Sequence, residues 1–126
     1  MPITFHINAA EGVIYTTAQG VVTDADILAH KDAMVRHPDF RPGMRQLSDA
    51  RLIERLDVST AGVSLFAAHD GLHASDLGAH QIAIVVGTDE VFGMARMYQS
   101  VTEANLPGVQ IFRDMDEARR WLGLAP

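Results

Sequence analysis

The chain has 126 residues, 48% of them hydrophobic, and a formal net charge of −6. That size fits one domain with one real core, and the composition is that of a globular chain rather than a disordered one. The acidic balance argues against nucleic acid or an anionic membrane surface as the main partner, and the lack of cysteine excludes a disulfide framework, a thiolate nucleophile and a Cys-based zinc site.

The opening MPITFHINAAEG has no basic segment followed by an apolar run, so no signal peptide is expected. No apolar stretch approaches the roughly 18 residues of a membrane span. The expectation is a cytoplasmic protein without membrane insertion.

Residues 3–9 alternate apolar and polar, with Ile3, Phe5 and Ile7 on one face, which is strand periodicity. Residues 13–19 are β-branched and aromatic, and Glu11-Gly12 suits a hairpin turn between the two runs. Thr23 then reads as an N-cap, with Asp24 and Asp26 at the positive end of a helix dipole. Ile27, Leu28, Met34 and Val35 give that helix its apolar side, and His37-Pro38 ends it. Residues 44–50 form the next expected strand. RLIER follows, and Asp57 or Ser59 caps a helix carrying Val58, Ala61, Leu65, Phe66 and Ala68.

Residues 80–87 are nearly all apolar, as in a central strand covered on both faces. Thr88 caps a helix with Asp89 and Glu90 in its first turn. Residues 109–112 are a short last strand. Asp114 and Glu117 make an Asp version of the capping box, and Gly123 closes a final helix carrying Ala118, Trp121 and Leu122. The order β-β-α-β-α-β-α-β-α implies an α/β fold with a mostly parallel sheet and an N-terminal antiparallel hairpin, in a single domain over 1–126.

GMARMYQ (93–99) and VQIFRDMDEARRWL (109–122) resemble the C-terminal signature of the bacterial SpoIIAA-like family, small single-domain proteins grouped with STAS domains and CRAL-TRIO-type lipid carriers. The element order is similar over nearly the whole chain. The resemblance implies a STAS-like fold and one of two roles. STAS relatives are regulatory modules or anti-anti-sigma factors switched by phosphorylation of a serine in an Asp-Ser-Ser-Gly signature. Here that region reads LDVSTAG, with Asp57, Ser59, Thr60 and Gly62 present and Val58 placed after the aspartate. CRAL-TRIO relatives carry apolar ligands.

Several residues are candidate sites. His69 and His73 share a helical face four residues apart, as zinc ligands do, and His80 would be a third. Asp70 replaces the glutamate of the H-E-x-x-H motif and Gly71 interrupts it, so HDGLHASDLGAH (69–80) is read as a connector with His69, His73 and His80 as weak metal candidates. Ser59 and Thr60 suit a helix cap or a phosphosite, because either uses the free N–H groups there. Asp49 and Arg51 stand at the end of an expected parallel strand, the edge where open α/β sheets bind ligands. On the helix capped by Thr88, positions 91, 94, 95, 98 and 101 form the apolar face, Met94 and Met97 with Phe92 and Tyr98 could line a pocket, and Arg96 could hold an acidic head. Gly93 is costly in a helix interior, which a close backbone contact or an approaching ligand would justify.

The leading expectation is a non-enzymatic regulatory or ligand-binding module. It would take a small apolar or amphipathic, lipid-like molecule between the sheet edge and the Gly93–Tyr98 helix, at Asp49, Arg51, Gly93, Met94, Arg96, Met97 and Tyr98. The second is a phospho-responsive protein-interaction module using Ser59 or Thr60. The third is a metal-dependent enzyme at His69, His73 and His80. No cofactor is expected, and homodimerisation is open for a domain this small.

Overall fold

The computed structural model describes residues 2–126. One five-stranded sheet carries the fold, in the order β1-β2-β3-β4-β5. β1 (Ile3–Asn8) and β2 (Val13–Thr23) form the antiparallel hairpin, and β3 (Arg45–Asp57), β4 (Gln81–Val86) and β5 (Val109–Phe112) add in parallel. Gly12, at φ +71°, makes the hairpin turn. α1 (Asp24–Arg36), α2 (Thr60–Leu72) and α4 (Asp89–Thr102) cover one face. α5 (Met115–Trp121) covers the other, packing Ala118 and Leu122 on Leu47, Ala83 and Val85. No helix among the described residues is long and apolar enough to cross a membrane.

The capping signals hold. Thr23 and Asp26 form a reciprocal capping box, and Thr88 and Asp114 accept from the backbones of Val91 and Glu117, so Asp114 acts as a one-way N-cap rather than the expected box. β4 is buried on both faces. A one-turn helix, α3 (Ala74–Leu77), is added between α2 and β4.

Two elements depart from expectation. β3 does not stop at residue 50 but runs to Asp57, alongside a β2 that reaches Thr23. Between Thr17 and Gln19, and again between Gly20 and Val21, the register shifts by one residue on the β3 side. Each bulge inserts a residue, so the inward positions fall at Ala50, Ile53 and Leu56, three apart, and the period of two vanishes. The second departure is the face of α2. Ala61, Leu65 and Ala68 are exposed, and Gly62, Val63, Phe66, Ala67 and Asp70 face inward.

The start of α2 is pinned to the start of α1. Ser59 Oγ donates to Asp24 Oδ2 at 2.9 Å, accepts from Gly62 N at 2.9 Å, and Ser59 N donates to Asp24 Oδ1 at 3.1 Å. A Cβ on Gly62 would stand 2.1 Å from Asp24 Oδ1, so only glycine admits this approach. Ser59→Ala is expected to cost about 1 kcal/mol, the usual loss for a removed N-cap, read as a lower urea midpoint at unchanged slope. A cost within error would show that Asp24 holds the helix start without the hydroxyl.

Candidate functional site

Each helix on the covered face carries a polar residue inside its apolar stripe, and the three meet. Lys31 of α1 donates to Asp70 Oδ1 of α2 at 2.9 Å and to Tyr98 Oη of α4 at 2.8 Å. Tyr98 Oη donates to Asp70 Oδ2 at 2.5 Å, and Thr102 Oγ1 donates to the same oxygen at 2.7 Å. Asp70, Tyr98 and Thr102 are buried, and the Lys31 side chain is 11% exposed. Burial alone would lower the lysine pKa, but Tyr98 and Asp70 outweigh it and the pKa is raised, so Lys31 stays charged. Burial pushes Tyr98 up to about 12, which keeps it a neutral donor.

A second polar chain crosses the sheet side. His80 Nε2 donates to Gln46 Oε1 at 2.9 Å, and Gln46 Nε2 donates to Ser48 Oγ at 3.1 Å and Thr16 Oγ1 at 3.3 Å. His30 Nε2 lies 3.4 Å from Thr16 Oγ1, and His30 Nδ1 is buried with no partner among the described residues. Burial first, and the Lys31 charge second, lower His30 and His80 to about 4. Both are therefore neutral near pH 7.

These two chains border a cavity of about 170 Å³ between the sheet and the layer of α1, α2 and α4. Its walls are mostly aliphatic, including Val22, Ile53, Ile84 and Val91, with Met94 and Ala95 on α4. Its polar lining includes Lys31, His30, His80, Gln46, Asp70 and Tyr98. This is a concave, mostly apolar space with a few convergent polar groups, the usual form of a small-molecule site.

Of the residues singled out as ligand contacts, Met94 and Tyr98 line the cavity and five do not. Asp49 shares the parity of Leu47 and lies on the α5 face of β3, where it holds Arg51 through two bonds of 2.8 and 2.9 Å. That pairing lowers the Asp49 pKa and raises that of Arg51. Arg96 is exposed near the Phe92 ring, over which Arg113 sits more closely at 4.4 Å. Met97 is 38% exposed. Gly93 is exposed as well, and a Cβ there would meet nothing within 4 Å, so no close protein contact explains it.

The histidines separate. His80 is buried against Gln46, while His69 and His73 stand together on α2 with ring centroids 4.4 Å apart. Among the described residues the three imidazoles do not form one ligand set, because His80, just before β4, is buried on the interior side. Ser59 and Thr60 are exposed as residues, but the Ser59 hydroxyl is held by Asp24, so a phosphoryl group there would face a carboxylate.

Lys31, Thr102, His30, Gln46 and Thr16 escaped the sequence reading, and Asp70 entered it only as the replacement for a motif glutamate. A signal for three of them was present. Lys31 lies four after Ile27 and three before Met34, Asp70 lies four after Phe66, and Thr102 lies four after Tyr98. A charged or polar residue inside an apolar stripe needs a buried partner.

Two measurements test this description. Gly93→Ala should stabilise the protein by about 1 kcal/mol, the helix-propensity difference at an open position, and a neutral or lower Tm would mean the glycine serves a contact. For His80, the folded pKa of about 4 lies below the ordinary histidine value of 6.5, so its neutral form stabilises the fold fully above pH 6.5. As pH falls from 6.5 to 4 the unfolded chain takes up a proton that the native state refuses. His80 alone should account for about 3 kcal/mol of stability lost in that window. His80→Gln keeps a donor for Gln46 and should remove about half of the pH dependence in denaturant titrations, His30 supplying the rest. Parallel curves for both proteins would contradict the assignment.

No family model matches the sequence, and no curated protein matches it. Among solved structures, the chain is similar to an uncharacterized protein of the DUF3478 family from Shewanella loihica PV-4, described as having a SpoIIAA-like fold. The two share 19% identity over 95% of this chain and 93% of that one, with a TM-score of 0.58. With its antiparallel hairpin, parallel strands and helix order, this chain has the SpoIIAA-like fold.

Proposed function

We propose that the protein is a non-enzymatic binding module that takes up a small amphipathic molecule between its sheet and its three-helix layer. The cavity of about 170 Å³ beside Lys31 carries this reading. Its volume is close to the roughly 150 Å³ apolar cavity that accepts benzene, so the ligand body is a ring or a short chain rather than a long-chain lipid. The aliphatic walls receive that body. The head meets Lys31, which spends two of its three N–H groups on Asp70 and Tyr98, and His30, whose Nδ1 has no partner among the described residues. Groups of this kind favour a head with an acceptor, a carboxylate or carbonyl. The apolar cargo of CRAL-TRIO-type carriers is in keeping with this choice.

The arrangement offers little to a chemical mechanism. Lys31 is held charged, Tyr98 is held neutral, and Asp70 accepts three bonds, so the buried groups are committed to one another. A phospho-responsive module remains the second reading, supported by the exposure of Thr60 at the start of α2.

The test pairs native mass spectrometry of untagged protein taken from cells with calorimetric titration of octanoate and benzoate. A removable small-molecule adduct, or saturable binding of either acid, is expected. Ala95→Leu fills the cavity from α4 and should weaken binding at least about tenfold without lowering Tm, since the added side chain enters open space. A bare native mass together with no binding of either acid would end this reading.

A further inference from the structure

We propose that Asp32, His69 and His73 bind one divalent transition-metal ion, with zinc the best fit to the donor set, and that the ion clamps α1 to the C-terminal end of α2. Each residue offers one ligand atom, and these atoms lie within 4.8 Å of one another. His69 Nε2 is 3.9 Å from Asp32 Oδ1 and is buried with no hydrogen-bond partner among the described residues. The two imidazoles occupy positions i and i+4 at the end of α2, the spacing that presents two histidines to one ion.

The surroundings supply what a metal site needs. Asp76 Oδ2 lies 3.2 Å from His73 Nδ1. An imidazole that donates one nitrogen to a carboxylate has the other oriented and more basic for a metal. The last turn of α2 presents the negative end of its dipole, which favours a cation. Around the site, Asp32, Asp70 and Asp76 outnumber Lys31 and Arg36 in charge. Two imidazoles and one carboxylate form a borderline set that suits zinc and its neighbours rather than calcium or magnesium. Ligands at zinc's usual distance of about 2.0–2.1 Å stand about 3.3 Å apart in a tetrahedron, so modest side-chain rotation closes the present spacing. Three protein ligands leave one position for water or an outside ligand.

Arg36 is the built-in competitor. Its Nε lies 3.1 Å from Asp32 Oδ1, with the arginine side chain 77% exposed. An exposed pair of this kind is weak and releases its carboxylate readily. The inference stands apart from the cavity ligand. Lys31 and Asp70 point inward from the same helical turns whose other sides carry Asp32 and His69.

The experiment uses the full chain, stripped with chelator, titrated with Zn²⁺ alone by calorimetry and with Co²⁺ alone by visible absorption. One equivalent of each ion should bind, with a Co²⁺ d–d spectrum of low symmetry and a rise in Tm. His73→Ala and Asp32→Asn should each weaken Zn²⁺ at least tenfold while remaining folded, because neither side chain is part of the core. Arg36→Ala should tighten it severalfold, an effect that a merely structural role for these residues would not produce. Absence of saturable binding by either ion at millimolar concentration overturns the proposal. So does binding that neither His73→Ala nor Asp32→Asn weakens.

Discussion

Asp70 is the constraint around which the helical layer is arranged. A carboxylate removed from water is costly unless it is paired and fully hydrogen-bonded. Here one oxygen takes the Lys31 ammonium and the other takes the hydroxyls of Tyr98 and Thr102. The four groups come from α1, α2 and α4, so satisfying one charge fixes three helices relative to one another. Removing one member of such a pair leaves the other uncompensated, typically at about 3–5 kcal/mol. The pair contributes less to net stability than that figure suggests, since a well-packed apolar replacement would avoid the desolvation cost altogether. What it does specify is orientation.

The choice of face on α2 follows from this. The helix offers two apolar stripes. One contains Ala61, Leu65 and Ala68, the other the bulkier Val63, Phe66 and Ala67. Apolar area already favours the second, and the buried carboxylate fixes the choice. The second stripe ends in Asp70, and only that stripe brings the carboxylate to Lys31 and Tyr98. It also turns Gly62 toward Asp24, where a larger residue would not fit. Leu65 and Leu72 are left 54% and 84% exposed as a result.

Much of the fold was legible because its signals are local. Thr23, Thr88 and Asp114 declare helix starts through their own side chains, and the apolar run of β4 declares a strand buried on both sides. The fold resemblance carried by the C-terminal segments points the same way. β3 was only half legible, since two bulges convert its period from two to three at Ala50, Ile53 and Leu56. The site was less legible still. Met94 and Tyr98 were visible as an apolar face, but Lys31 and Asp70 are 39 residues apart in sequence. Each alone reads as an error in an amphipathic pattern, and only together do they read as a site. Asp49 and Arg51 misled for the opposite reason. They sit at a strand position that often binds ligands, yet they bind each other on the face away from the cavity.

The two bulges have a consequence beyond the inward pattern. β4 pairs with β3 only as far as Ala50, so among the described residues the stretch from Arg51 to Asp57 is bonded to β2 on one side and has no neighbouring strand on the other. A bare strand edge invites a stray chain to add to it, the first step of edge-to-edge aggregation. This stretch carries Arg51, Glu54, Arg55 and Asp57 within seven residues, and the bulges distort the ladder that an incoming strand would need to match. Charge of both signs also denies a simple electrostatic partner. The long β2–β3 ribbon can thus project past the rest of the sheet while remaining a poor template for polymerisation.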